Sequence, residues 1–333
     1  MTRRLAAVAG SLLLAAAASC GRAPDLVVYV ALDQDFSEPL LERFEAETGL
    51  KVDAQFDVER NKTVGLVNRI LAERNRPRAD VFWNNEIAQT IRLKREGATS
   101  PYASPSADGL PEAFRDADHH WTGFAARARV VMYRTDQVGP VPASLEDFLD
   151  PEIASAGSMA LPLTGTTLTN LAVLSVERGD DAMTAWLRGA QDAGLSFGSG
   201  NADVMRRVTA GDFHWCFTDT DDAAKAEDAG HPVAIRYLDQ GSGALLIPNT
   251  VAILEGAPHR EAAETFIDWV LSAEVEAALA DSTSRQIPLR PGVDAPDRVG
   301  LPGKDFQAAT VDWEAAAARL AAREAAYREL FVQ

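Results

Sequence analysis

Short apolar runs alternate with amphipathic stretches in the first part of the chain, and this alternation restricts the possible folds more than any other feature. Residues 26–30 (LVVYV) are β-branched and aromatic, as in a buried strand. Residues 37–49 have a capping serine, an apolar stripe and a terminal glycine, which together predict a helix. Residues 51–56 and 79–83 predict two more strands, with a helical pattern over residues 63–75 between them. Strand–helix–strand–helix–strand at this spacing predicts an α/β fold with a parallel sheet.

The middle of the chain repeats this organisation with shorter strands. Strands are predicted at residues 159–163, 195–197 and 213–217, with helical stretches between them. Two longer apolar strands, at residues 121–133 and 244–254, lie on either side of this second unit. Each could pass from one lobe to the other, so that the chain leaves the first lobe and later returns to it. The sequence therefore predicts two α/β lobes with a cleft between them.

Helical patterns dominate the end of the chain. Residues 261–280 form a strongly amphipathic stretch, and the alanine-rich segment from about Asp305 is also predicted to be helical. The predicted division is lobe one at residues 25–124 and 250–295, lobe two at residues 125–249, and a C-terminal helical segment at residues 296–333.

The first 20 residues have the organisation of an export signal. Arg3 and Arg4 precede an apolar stretch at residues 5–18, which is too short to span a hydrocarbon core of ~30 Å. Small residues then lead to Cys20, and this arrangement resembles a bacterial lipobox, in which the cysteine carries the lipid. An ordinary secretory signal cleaved nearby is the alternative. We therefore expect an exported protein of the periplasm or cell envelope, lipid-anchored if Cys20 is modified.

The composition is strongly acidic. The formal net charge is −17, and loss of Arg3 and Arg4 with the signal would take it to −19. Such a surface repels nucleic acid and anionic lipid, so nucleic-acid binding is excluded. The sequence has no HExxH or GxSxG motif and no obvious histidine base, so no enzyme activity is predicted. If Cys20 is lipidated, Cys216 has no partner cysteine and no internal disulfide is expected.

Six sequence blocks occur in an order typical of one protein family. They are VY at 28–29, FEAETGLKV at 44–52, ADVFW at 79–83, WTGFAARARV at 121–130, FIDWVLS at 266–272 and QIPLRPGV at 286–293. Together they resemble the periplasmic solute-binding proteins of ABC importers, specifically the ferric-iron-binding branch. The resemblance implies a type II periplasmic-binding-protein fold, in which two hinge strands join the lobes and a ligand binds in the interlobe cleft. It also implies a membrane permease as partner, and free opening and closing favours a monomer.

The resemblance places the iron site of the family on different residues here. Ferric binders of this branch present two adjacent tyrosines after a strand, and Asp221 and Asp222 occupy the corresponding positions. The histidine of some members corresponds to a position near Asp33, and the acidic ligand after the third strand corresponds to Asn85 or Glu86. The resemblance therefore implies an all-oxygen site, in which the metal ligands are Asp33, Glu86, Asp221 and Asp222 and Asp219 lies beside them.

Two ligand classes suit such a carboxylate site. A hard cation, Fe³⁺, Ca²⁺, Mg²⁺ or Mn²⁺, would be bound through oxygen and would be the transported ligand; no separate cofactor is predicted. An organic ammonium could lie between carboxylates and the aromatic faces of Tyr29, Trp83 and Trp121, of which Trp83 at a strand end is the best candidate. The alternative is that residues 218–222 only cap the helix predicted at residues 223–229.

A second group of residues could hold an anion. Thr166 lies in a Thr-Gly-Thr-Thr turn that opens a helix, and Asn201 follows a Ser-Gly turn before the next helix. Arg127 or Arg129 could add positive charge, and purely structural roles are the alternative for each residue. The leading hypothesis is therefore a binding protein of an ABC importer that captures ferric iron or another hard cation by hinge closure. An organic amine or a phosphorylated or anionic metabolite is the alternative ligand, and a sensor would share every one of these features.

Overall fold

The computed structural model describes residues 23–57 and 64–331, which form two α/β lobes connected through one sheet. The predicted signal peptide and Cys20 lie outside the described residues. No helix in the described part of the chain is both long and apolar enough to cross a membrane.

The described residues contain ten strands and eleven α-helices. The strands are β1 (Leu26–Val30), β2 (Val52–Phe56), β3 (Val81–Asn84), β4 (Thr99–Ser100), β5 (Thr122–Arg134), β6 (Gly157–Ala160), β7 (Ser196–Gly198), β8 (Trp215–Asp219), β9 (Val233–Tyr237) and β10 (Leu246–Leu254). The helices are α1 (Gln34–Thr48), α2 (Val64–Glu73), α3 (Ile87–Arg95), α4 (Pro151–Ala154), α5 (Gly165–Arg178), α6 (Asp180–Asp192), α7 (Asn201–Ala210), α8 (Thr220–Asp228), α9 (Arg260–Val270), α10 (Ala273–Asp281) and α11 (Trp313–Phe331).

Lobe one has the predicted parallel sheet at its centre. The apolar strand β1 is buried along its whole length and pairs in parallel with β2 on one side and β3 on the other. Strand β10 then pairs antiparallel with β3 and continues the sheet towards β5. The α/β prediction for this lobe is confirmed.

Lobe two is built in the same way on a smaller scale. Strand β6 pairs in parallel with β7 and β8, while the second half of β5 pairs antiparallel with β8 and β9. Because β6, β7 and β8 are parallel, their carboxyl ends lie at one edge of the sheet. That edge carries the residues from which the candidate site is formed.

Strand β5 joins the two lobes. Its first part, Thr122–Ala128, pairs with β10 of lobe one, and the part from Arg129 pairs with β8 of lobe two. The two long strands predicted to pass between the lobes are thus neighbours, and the two-lobe fold is confirmed. The change of sheet falls between Ala128 and Arg129, later in the chain than the boundary after residue 124 that the sequence suggests.

Two helix predictions need correction. The stretch at residues 261–280 is not one helix, because α9 ends at Val270 and Ser272 begins α10 by accepting a 3.4 Å hydrogen bond from the Val275 amide. The C-terminal helix α11 begins at Trp313 rather than near Asp305. It packs against α3 of lobe one and α5 of lobe two, so one helix contacts both lobes.

Candidate functional site

The candidate site lies where the strand ends of the two lobes meet. In lobe two, Thr166, Asn201 and Asp219 follow or end the parallel strands β6, β7 and β8. In lobe one, Asp33 follows β1 and Asn85 follows β3, which are also parallel neighbours. Ligands of α/β proteins bind at the carboxyl ends of such strands, because the loops there converge.

Three carboxylates converge at the junction of β8 and α8. Asp219, Asp221 and Asp222 each bring one carboxylate oxygen within 4.8 Å of the others. Asp219 and Asp221 are buried, and Asp222 is half-buried. Asp222 accepts a 2.8 Å hydrogen bond from the Thr218 hydroxyl, and its amide donates to Asp221 Oδ1 at 3.0 Å. The sequence therefore does bring these three side chains together.

Asp219 is held by donors of lobe two. Its Oδ1 accepts a 2.7 Å hydrogen bond from Nη1 of Arg129. Its Oδ2 accepts from the Thr166 hydroxyl at 2.6 Å and from the Asn201 amide at 2.9 Å. Asp219 occupies the N-cap position of α8, yet its side chain makes no capping bond to that helix. Its carboxylate thus organises Arg129, Thr166 and Asn201 rather than the helix end.

Arg127 connects the two lobes. Nη1 donates to Asp221 Oδ2 at 3.1 Å and lies 3.6 Å from Asp219 Oδ2, and Nη2 donates to the Asn85 carbonyl at 2.7 Å. The Arg127 side chain is only 7% exposed. A guanidinium therefore lies between the lobe-two carboxylates and the lobe-one strand end.

Asp33 is paired with a lysine across the cleft. Lys225 Nζ on α8 lies 2.9 Å from Asp33 Oδ2 and 4.4 Å from the centroid of the Phe36 ring. The predicted ligand Asp33 thus contacts α8 through Lys225, which lies four residues after Asp221 on that helix. The carboxylates of the site are interleaved with positive side chains from both lobes.

Glu86 caps helix α3. Its side chain accepts hydrogen bonds from the amides of Ala88 (3.0 Å) and Gln89 (2.8 Å). The Thr169 hydroxyl on α5 donates to Glu86 Oε2 at 2.6 Å, which is a further contact between the lobes. Both oxygens of Glu86 are therefore engaged at the start of α3.

The structure places Trp83, a predicted ligand contact, in the interior of lobe one. Trp83 is 0% exposed, and its ring lies 5.8 Å from that of Phe124 and 6.2 Å from that of Phe266 in the core of lobe one. Tyr29 is also 0% exposed, and its hydroxyl donates to Glu73 at 2.8 Å. The rings of Trp83 and Tyr29 are thus buried in packing.

The ionisation of the aspartates differs between neighbours. Burial alone would raise the pKa of the Asp219 carboxyl, but the charges of Arg129 and then Arg127 outweigh it and lower the pKa. Burial raises the pKa of Asp221, and the negative charges of Asp219 and Asp33 add to this effect, although Arg127 opposes it. Asp219 is thus a strongly stabilised anion, and the charge of Asp221 is less well compensated than that of Asp219.

Lys225 and Thr169 are site residues that the sequence analysis did not single out. Lys225 is four residues after Asp221, so the helical repeat places both on the face of α8 that meets lobe one. Thr169 is three residues after Thr166 on the first turns of α5. Both residues could have been identified from the sequence, because each lies one helical turn after a residue that was already a candidate.

Comparison with known proteins agrees with this architecture. The family model described as bacterial extracellular solute-binding protein matches residues 40–310. Iron uptake protein A1 of Synechocystis sp. is 27% identical over 314 residues, covering 86% of this chain and 84% of that protein. The Fe(3+)-binding periplasmic protein of Serratia marcescens is 24% identical over 318 residues, covering 92% of this chain and 91% of that protein.

A solved structure has the same fold. The apo ferric ion-binding protein A of Pasteurella haemolytica superposes with a TM-score of 0.82 at 22% identity, covering 92% of this chain and 99% of that one. The family match extends over most of the chain, from within α1 to the segment before α11. The chain therefore belongs to the family of bacterial extracellular solute-binding proteins.

Proposed function

We propose that this protein is the substrate-binding subunit of an ABC importer that captures ferric iron, or another hard cation, between its lobes. The observation that carries the proposal is the carboxylate cluster of Asp219, Asp221 and Asp222, whose oxygens lie within 4.8 Å of one another at the lobe junction. Carboxylate oxygens are the donors that hard cations prefer. Relatives of this chain carry names such as iron uptake protein and Fe(3+)-binding periplasmic protein, which supports the same cargo.

Capture is proposed to occur by hinge closure about β5 and β10. Contacts between the lobes, Glu86 with Thr169 at 2.6 Å and Asp33 with Lys225 at 2.9 Å, hold the two strand-end edges together. A cargo that touches both lobes favours this arrangement, because it binds the lobes-together state more tightly than the separated one. The permease of the inner membrane would then recognise the closed form.

The remaining features of the proposal follow from the transport role. We propose that Cys20 anchors the protein by a lipid in the periplasm, that the protein acts as a monomer, and that it catalyses no reaction. Non-enzymatic function is supported by the ionic pairing of the site: the carboxylates that could act as bases contact arginine and lysine side chains.

The test is thermal unfolding of the mature chain after chelator treatment, with Fe³⁺ supplied as its nitrilotriacetate chelate and with Ca²⁺, spermidine and phosphate in parallel. A ligand at 100 times its Kd stabilises the native state by about 2.7 kcal/mol, which gives a clear rise in Tm. We expect this rise with Fe³⁺, and we expect Asp221→Asn and Asp222→Asn to reduce it. Asp192→Asn is the matched control, since Asp192 is an exposed aspartate on α6. An unchanged Tm with every metal would refute the cation proposal.

A second candidate cargo is an anionic or phosphorylated metabolite. It is favoured by Arg127, whose buried Nε has no hydrogen-bond partner among the described residues. Arg129, Thr166 and Asn201 add further donors beside the start of α5, where backbone amides favour an anion. A Tm rise with fructose 6-phosphate or phosphate, lost in Arg127→Gln and absent with Fe³⁺, would establish this candidate in place of the cation.

A further inference from the structure

Arg127 is the positive charge at the contact between the lobes. Its Nη1 donates to Asp221 of lobe two at 3.1 Å, and its Nη2 donates to the Asn85 carbonyl of lobe one at 2.7 Å. Its Nε is buried and makes no hydrogen bond within the part of the chain that the structure describes. The guanidinium is therefore incompletely bonded, and its two acceptors belong to different lobes.

Arg129 provides the contrast. It lies two residues further along β5, is 0% exposed, and donates from Nη1 to Asp219 and from Nη2 to the Thr167 hydroxyl. Its Nε donates to Asn170, so every acceptor of Arg129 belongs to lobe two. Movement between the lobes can leave this arginine unchanged.

The position of Arg127 has a different consequence. When the lobes separate, the guanidinium cannot keep both Asn85 and Asp221, because they lie on opposite sides of the hinge. One of its two hydrogen bonds then breaks, and a long side chain with an unbonded Nε can leave the carboxylates. A cation entering the open cleft meets carboxylates for which Arg127 competes.

We propose that Arg127 is an internal counter-ion that any cationic cargo must displace from the cleft, so that cations of low charge bind too weakly to be captured. This inference rests on the proposed function. A monovalent cation that takes the place of the guanidinium brings no additional charge to Asp221 and Asp219. A trivalent cation brings two additional charges, and its attraction to a carboxylate scales with the product of the two charges. The cost of displacing Arg127 is the same for every cation, so it lowers all cation affinities by one factor and leaves only cations of high charge bound.

The test compares the affinities of the mature protein for Fe³⁺, supplied as its nitrilotriacetate chelate, and for Ca²⁺, by calorimetric titration. In Arg127→Gln, the affinities for Ca²⁺ and Fe³⁺ should both rise at least tenfold, and by the same factor to within about threefold. Arg127→Lys keeps the charge and should keep both affinities within about threefold of the wild-type values. Arg134→Gln, on the same strand in a partly exposed pair with Asp136, controls for the loss of one positive charge.

Each outcome decides a separate question. Unchanged affinities in Arg127→Gln overturn the inference while the proposed function stands, as does an equal rise of both affinities in Arg127→Lys. A tenfold loss of Fe³⁺ affinity in Arg127→Gln also overturns it, since the arginine would then contact the cargo or an anion bound with it. Failure of the wild-type protein to bind either metal overturns the proposed function, and the inference with it. If Arg127→Gln does not fold, Arg127→Met, which also removes the charge, takes its place in the same comparison.

Discussion

Replacement of Asp219 by asparagine is the most direct test of how the site is held together. Asp219 is 1% exposed and accepts hydrogen bonds from Arg129 (2.7 Å), Thr166 (2.6 Å) and Asn201 (2.9 Å). Asp219→Asn removes the charge that compensates Arg129, which is itself 0% exposed. Removing one partner of a buried ion pair costs roughly 3–5 kcal/mol, because the other charge stays buried without compensation.

The measurement is the free energy of unfolding from urea titration, with chelator present so that no metal contributes. A loss of this size corresponds to a fall in Tm of about 6–10 °C, at ~2 °C per kcal/mol for a chain of this length. Asp136→Asn is the matched control, because its 2.7 Å pair with Arg134 is partly exposed and such pairs contribute ~0–1 kcal/mol. If Asp219→Asn lowers the free energy of unfolding no more than Asp136→Asn does, then the buried pair of Asp219 and Arg129 does not stabilise this edge of lobe two. Adding Arg129→Met to Asp219→Asn should recover part of the loss, since it removes the uncompensated charge.

Three further predictions concern pH, thiol chemistry and helix capping. Burial raises the pKa of the Glu86 carboxyl in spite of its hydrogen bonds. The contribution of this group to the free energy of unfolding is therefore complete below the unfolded pKa of about 4.3, and it is lost as pH rises through the higher pKa of the folded state. In urea titrations between pH 4 and 7, Glu86→Gln should therefore lose less stability with rising pH than the wild-type protein, and parallel curves would contradict this. Burial also raises the pKa of the Cys216 thiol, so a thiol reagent should react with it only after unfolding; rapid reaction with the native protein would be inconsistent with its buried position. Ser272→Ala removes the hydroxyl that begins α10 and should reduce the free energy of unfolding by ~1 kcal/mol, and a value near zero would mean that the 3.4 Å bond contributes nothing.

The strands of lobe one could be predicted because a buried strand requires apolar residues along its length. Strand β1 is covered on both faces, and burial at every position requires the unbroken apolar run that the sequence shows. Once β1 and β3 are recognised as parallel neighbours, the residues after them must lie at one edge, which places Asp33 and Asn85 together. The family resemblance grouped Asp219, Asp221 and Asp222, and in the structure one carboxylate oxygen of each lies within 4.8 Å of the others.

The direction in which Trp83 points could not be predicted in this way. Trp83 and Val81 pack in one apolar cluster of lobe one, while Phe82 between them packs in another on the opposite face. Since both faces of β3 are covered, an aromatic residue at the strand end carries no local sign of which side it faces. Its proximity to a strand end was therefore insufficient to assign it to the cleft.

The ionic partners of the aspartates could not be predicted from the sequence either. Arg127 meets Asn85 and Lys225 meets Asp33 only because the lobes come together, and these contacts join residues distant in the chain. The periodicity of the sequence predicts which face of its own helix or strand a side chain occupies. It does not predict which residues of the other lobe that side chain contacts. The carboxylates therefore looked like an uncompensated cation site, whereas the structure interleaves them with arginine and lysine.

The Asp219 experiment also separates the carboxylate that maintains the structure from those that can hold cargo. Asp219 has a lowered pKa, with Arg129 as the principal cause opposing burial, so its charge is already compensated within lobe two. Asp221 has a raised pKa, so its neutral replacement by asparagine should reduce stability less than the same change at Asp219. In Fe³⁺ titrations the order should reverse, with the larger fold-loss of affinity in Asp221→Asn, because Asp221 accepts the hydrogen bond of Arg127, which lobe movement can release, whereas Asp219 keeps Arg129 within lobe two. If one aspartate dominates both measurements, structural and cargo roles are not divided between them, and the assignment of Arg127 as an exchangeable counter-ion loses its basis.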